Sequence, residues 1–151
     1  TKSKYFLKPV SATFHGRDVF APCAGWLALG TRVSDMGRSV PEPLVLDLPQ
    51  PMFKNKILTG QIVFKDRFGN LTSNIPAELL KDCFPDMAGL KIKLGKKTII
   101  TGIASYYSQV QKGKVGGIIN SWNNLEIFCR EGSAATATRC DIGETVAIKK
   151  P

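Results

Sequence analysis

The apolar positions of this chain fall into two rhythms. From residue 54 onward, short runs rich in β-branched and apolar residues recur between Gly, Asn and Asp. Such runs predict strands at 57–64, 71–75, 90–94, 98–103, 117–120, 125–129 and 145–149, with a further extended segment at 106–110. Turn residues separate them at Asp66-Arg67-Phe68-Gly69-Asn70, at Gly95-Lys96-Lys97, at 113–117 and at Trp122-Asn123-Asn124, the last closing a hairpin. Residues 76–84 predict a short helix, with Pro76 early and Leu79, Leu80 and Phe84 on one face. Residues 133–138 form a small-residue segment. Many short strands with glycine turns predict an antiparallel β-barrel or sandwich.

Ahead of residue 54 the rhythm differs. Phe6, Leu7 and Val10 suggest an extended strand over 5–14. Val19, Phe20, Ala21, Cys23, Ala24, Trp26, Leu27 and Leu29 then read as a helix. It is expected to start near Arg17 or Asp18, with Asp18 as cap and Pro22 in the first turn, and to fade near Gly30. Residues 30–52, with Pro41, Pro43, Pro49 and Pro51, predict a connector in which Val45, Leu46 and Leu48 give a short strand. The class is therefore α+β. Residues 1–40 are expected to be the strand–helix end of an N-terminal α/β domain, 41–53 a linker, and 54–151 the barrel-like C-terminal domain. One strand and one helix cannot bury their apolar faces alone, so the chain is expected to start mid-domain.

Charge and cysteines narrow the functional classes. The 151 residues carry a net charge of +9, which suits an anionic partner, but the lysines are scattered and no arginine-rich arm appears. A solvated surface explains them, and nucleic acid is not the expected partner. Cys23, Cys83, Cys129 and Cys140 lack zinc or redox spacing, and His15 is the only histidine, so no metal site is expected. The thiols read as reduced. With no signal peptide and no membrane-length apolar run, the expected location is the cytoplasm.

Candidate chemistry gathers at three places. His15-Gly16 lies where a strand end would pass into a helix, and histidine is the side-chain type that titrates near neutrality. Asp66, Phe68 and Asn70 share one turn: a carboxylate for an ammonium, a ring for stacking, and a carboxamide for a purine edge. Ser121, and Arg130 with Glu131 after the following strand, offer further polar contacts. On the residues alone a structural histidine and favoured turn residues are the preferred readings, and a hairpin with a glycine turn stays open at 120–135.

Taken together, Thr13-Phe14-His15-Gly16-Arg17-Asp18-Val19-Phe20-Ala21-Pro22, Asp66-Arg67-Phe68-Gly69-Asn70-Leu71 with Asn74-Ile75, and Asn120-Ser121 with Leu125-Glu126-Ile127 and Gly132-Ser133-Ala134-Ala135 closely resemble the S-adenosylmethionine (SAM) hydroxide adenosyltransferases. These are relatives of the SAM-dependent chlorinases and fluorinases. The resemblance covers essentially the whole chain but only the C-terminal portion of a family member. It implies attack of water at C5′ of SAM, giving adenosine and L-methionine, with SAM as substrate and no cofactor. It gives His15 and Gly16 to catalysis, and Phe14, Asp66, Phe68, Asn70, Ser121, Arg130 and Glu131 to substrate binding. Asp66 would meet the methionine ammonium, Ser121 its carboxylate, and Phe68 and Asn70 the adenosyl part. The family's aspartate and arginine partners of the histidine would belong to the missing N-terminal domain, so this chain alone is expected to be incomplete. The implied assembly is a homotrimer, with sites between subunits. The alternatives are a basic β-barrel module for nucleic acid without enzymatic activity, and a SAM- or adenosine-binding domain without turnover.

Overall fold

The computed structural model describes residues 2–96 and 98–151, so Lys97 of the predicted 95–97 turn lies outside the described residues. The chain divides into two compact units, Thr1–Leu46 and Asp47–Pro151.

In the first unit a single 3-10 turn, Ser3–Tyr5, is followed by bends, and the strand expected over 5–14 does not form. Pro9 lacks an N–H to give to a ladder, and Ser11 and Thr13 bond locally, the Thr13 N–H donating to Ser11 Oγ at 3.2 Å. The helix begins at His15, earlier than expected, through a wide π turn over Gly16–Phe20, and continues as α1, Ala21–Ala28, with Pro22 in its first turn. Asp18 does not cap it. Its carboxylate instead accepts from the Ser11 N–H at 2.8 Å. The end near Gly30 is as expected: Gly30 adopts φ +90°, and the N–H groups of Gly30 and Thr31 reach back to the carbonyls of Leu27 and Trp26. No residue of α1 is buried, although the helix is apolar all round. A short helix, α2, Val33–Met36, interrupts the connector. The strand suggested by Val45, Leu46 and Leu48 is absent, and these side chains are exposed.

The second unit is the antiparallel barrel the sequence predicts. Its elements are β1, Met52–Lys54; β2, Ile57–Lys65; β3, Leu71–Pro76; α3, Ala77–Cys83; β4, Lys91–Leu94; β5, Thr98–Thr101; β6, Val115–Ile119; β7, Asn124–Cys129; α4, Ala134–Thr138; and β8, Thr145–Lys149. The strands run in the order β5-β4-β8-β2-β3-β7-β6, with β1 on β2. The Ala104 N–H donates to the Gly117 carbonyl at 2.8 Å, tying the chain after β5 to β6 and nearly closing the barrel. Alternation along β2, β4 and β8 sends Leu58, Ile62, Ile92, Leu94, Val146 and Ile148 inward. Each such side chain contributes roughly 1.5–3 kcal/mol of burial.

Two local differences matter for function. The segment expected to be extended at 106–110 makes a 3-10 turn, Tyr107–Gln109. It lays Tyr107 edge-on to Phe128, 4.7 Å between ring centres, over the outer face of β7. That strand is consequently buried on both faces from Leu125 to Cys129. The small-residue segment at 133–138 forms α4, capped by Ser133, whose Oγ accepts from the Thr136 N–H at 3.1 Å.

Candidate functional site

The outer faces of β2, β3, β6 and β7, with the turns that join them, enclose a pocket of about 500 Å³. The β2–β3 turn forms one side. Asp66 Oδ1 accepts from the N–H groups of Phe68 and Asn70 at 2.9 and 2.8 Å, and Oδ2 accepts from Asn70 Nδ2 at 3.0 Å. An aspartate that closes its own turn is locally encoded. Gly69 takes φ +84°, and a Cβ there would collide with Ser133 Oγ. Only glycine lets the turn approach α4, where the Ala135 N–H donates to the Gly69 carbonyl at 2.9 Å.

The β6–β7 turn forms the opposite rim. Asn120 Oδ1 accepts from the N–H groups of Trp122 and Asn124 at 3.0 and 3.1 Å, which shapes the turn carrying Ser121. Asn120 Nδ2 donates inward, to Glu126 Oε2 at 3.1 Å and Thr72 Oγ1 at 3.3 Å. The Tyr107 hydroxyl donates to Glu126 Oε1 at 3.2 Å. Trp122 leans on Phe64 with 5.1 Å between ring centres, so the pocket has an aromatic wall. Burial, then the charge and hydrogen bond of Glu126 and the charge of Asp66, raise the Tyr107 phenol above its ordinary pKa. The lining contains two carboxylates, Asp66 and Glu126, and no lysine, arginine or histidine. On a chain of net charge +9 this is an acidic hollow.

Of the residues singled out from sequence, Asp66, Asn70 and Ser121 line this pocket together. Phe68 is in the same turn but 73% exposed and outside the lining. Arg130 and Glu131 are also outside it. Arg130 donates to the carbonyls of Ser108 and Val110 at 3.2 and 3.1 Å, bracing the 3-10 turn that carries Tyr107. Glu131 pairs with Lys112 at 2.5 Å. Sequence reasoning missed Phe64, Thr72, Tyr107, Trp122 and Glu126 as site residues. The one available signal was Glu126, an acid inside the apolar run 125–129. A larger hollow of about 700 Å³, lined by Phe53, Phe84 and Lys149 among others, contains none of the predicted residues.

The other candidates belong to the first unit. Phe14, His15 and Gly16 are exposed at the helix start. Arg17 stacks over Phe14, 5.0 Å from guanidinium carbon to ring centre, and grips Asp18 at 2.6 and 3.1 Å. The Asp18 side chain has no solvent exposure. Arg17, followed by the Ser11 N–H, lowers its carboxyl below the ordinary range against an opposing effect of burial. This clasp fixes the loop that leads to His15. Among the described residues no group of three or more His, Cys, Asp or Glu side chains is placed to hold a metal. Among them, too, no helix is long and apolar enough to cross a membrane.

Comparison with known proteins bears on this geometry. The chain is 32% identical over 141 residues to an (R)-S-adenosyl-L-methionine hydrolase of Thermus thermophilus, covering 93% of this chain and 50% of that protein. It is 40% identical over 74 residues to a protein of the same name from Salinispora tropica, covering 48% of this chain and 28% of that one. The chain thus spans half or less of the length of these curated relatives. An uncharacterized conserved protein of Thermotoga maritima superposes with a TM-score of 0.74 at 28% identity, covering 99% of this chain and 58% of that one. A conserved hypothetical protein of Thermus thermophilus superposes with a TM-score of 0.62 at 28% identity, covering 89% of this chain and 52% of that one. Residues 60–147, which include the whole acidic pocket, match the SAM hydroxide adenosyltransferase C-terminal domain. On these grounds the chain belongs to the SAM hydroxide adenosyltransferase family.

Proposed function

We propose that this chain contributes the C-terminal, ligand-binding part of an enzyme that hydrolyses SAM to adenosine and L-methionine. The observation that carries the reading is the acidic, aromatic-walled pocket that unites Asp66, Asn70 and Ser121 without a basic side chain. SAM is a cation with a purine at one end and an amino acid at the other. Carboxylates, rings and carboxamides suit those features, whereas a phosphate ligand would call for cations.

Residue roles follow the chemistry. Asp66 Oδ2, with one donor from Asn70, has capacity left for the methionine ammonium. Asn70 Oδ1 takes the purine amine, Ser121 the methionine carboxylate, and the exposed ring of Phe68 stacks on the adenosyl part. Arg130 acts through the 3-10 turn it braces, and Glu131, beside it, is assigned a further contact to the adenosyl part. Water attacks C5′; the C5′–S bond breaks with its electrons going to methionine, and His15, with Gly16 and Phe14 shaping its turn, receives the water proton. The sulfonium is already a good leaving group, so positioning and proton removal are the protein's main tasks. The unburied apolar α1 is the surface we assign to further N-terminal domain residues, and a homotrimer of a cytoplasmic enzyme is the assembly.

The test is incubation of the full-length protein with SAM in ¹⁸O-enriched water, followed by chromatography and mass analysis. Adenosine carrying the label in its 5′-hydroxyl is the expected product. Unlabelled adenosine, or none, contradicts the reading; tight SAM binding without product supports a binding domain instead.

A second reading has one observation in its favour. Lys91 pairs in register with Lys149, and these two, with Lys93 and Lys96, line a hollow of about 470 Å³ with no acidic residue. Like charges facing each other are unfavourable without an anion between them. Salt-sensitive binding of single-stranded DNA, lost on Lys91→Glu, would support a polyanion-binding role, and no binding would remove it.

A further inference from the structure

No side chain of the pocket offers Glu126 a cation. It sits on β7 between two core residues, and only 7% of it is exposed. Its hydrogen-bond partners, the Tyr107 hydroxyl and the Asn120 carboxamide, are neutral. It takes part in none of the ion pairs among the described residues, and neither does Asp66 across the pocket. A nearly buried carboxylate without a cation is costly unless something compensates it. Glu126 lines the pocket.

We propose that Glu126 is the counter-charge by which the pocket selects a cationic nucleoside over a neutral one. The inference rests on the reading of the pocket as a SAM site. SAM carries a sulfonium and an ammonium against one carboxylate, whereas the product adenosine is neutral. The reaction removes the sulfonium, so the attraction that holds substrate weakens for product and favours its release. A hollow of about 500 Å³ is only about 10 Å across, close enough for a buried charge to change affinity by roughly tenfold at an effective dielectric near 20. Tyr107 and Asn120 hold the carboxylate at the pocket floor without cancelling its charge.

Glu126→Gln isolates the charge from the hydrogen bonds. The glutamine oxygen still accepts from Asn120, and its amide donates to the Tyr107 oxygen. The probes are adenosine and sinefungin, a cationic SAM analogue with an amine-bearing carbon in place of the sulfonium and no leaving group. Calorimetric titration of the full-length protein should show sinefungin binding weakened about tenfold by Glu126→Gln, and adenosine binding changed by less than about twofold. Equal losses for both ligands overturn the inference by making Glu126 a structural residue. So does no loss for either. If the unsubstituted protein binds neither ligand, the SAM reading of the pocket fails and the inference fails with it.

Discussion

At the scale of single residues, two carboxylates are put to opposite uses. Asp18 is clasped by Arg17 and the Ser11 N–H, and its depressed pKa ties the loop before His15 to pH. A carboxyl held lower in the folded than in the unfolded chain stabilises fully above its unfolded value, about 3.9. That contribution is lost as pH falls through the lower, folded value. The Ser11 amide resonance should therefore stay constant through the ordinary carboxylate range and move only in more acidic solution. Movement centred near pH 4 would show that the clasp is not formed. Asp66, by contrast, closes its own turn and still faces the pocket. Asp66→Asn keeps an acceptor for the backbone but sets two amide NH₂ groups against each other at Asn70. SAM binding should weaken by about tenfold or more, adenosine binding less, as titration of both ligands would reveal. Equal weakening would mean that the turn has collapsed and that no ammonium contact was lost.

Among the elements, the β2–β3 turn and α4 form one device. Gly69→Ala places a Cβ against Ser133 Oγ at a backbone angle unfavourable to L residues. Urea unfolding should show a loss of about 2 kcal/mol, and an unchanged midpoint would contradict the packing described. Legibility from sequence follows the same line. Strands β2, β3, β7 and β8 carry enough β-branched and apolar residues to declare themselves, and the turn at 66–70 is written in its own Asp, Gly and Asn. What could not be read depends on distant partners. β1 is three residues long and exists because β2 accepts it, across a turn where Asn55 and Lys56 both take positive φ. The 3-10 turn at Tyr107–Gln109 is fixed by Arg130, and the strand expected over 5–14 has no partner strand among the described residues. Glu126, within the motif at 125–127, has no role assigned from sequence for a related reason. Period-two alternation along β7 points it outward, as if to water, and only the ring of Tyr107 reveals a pocket floor.

For the whole molecule, the proposed hydrolysis calls for a group that takes the water proton as well as a pocket that holds SAM. His15→Ala in the full-length protein should lower kcat by about a hundredfold or more while SAM affinity changes little. Equal losses in both would make His15 a structural residue. The pocket claim is the more basic of the two, since without bound SAM there is nothing for His15 to act on. Its most direct test is a titration of the isotope-labelled chain with SAM, followed residue by residue in NMR spectra. The account predicts saturable shifts at the amides of Asn70 and Ser121 and at the Trp122 indole, with Tyr107 following. Saturable shifts confined to Lys91, Lys93 and Lys149, or none at millimolar SAM, would contradict it.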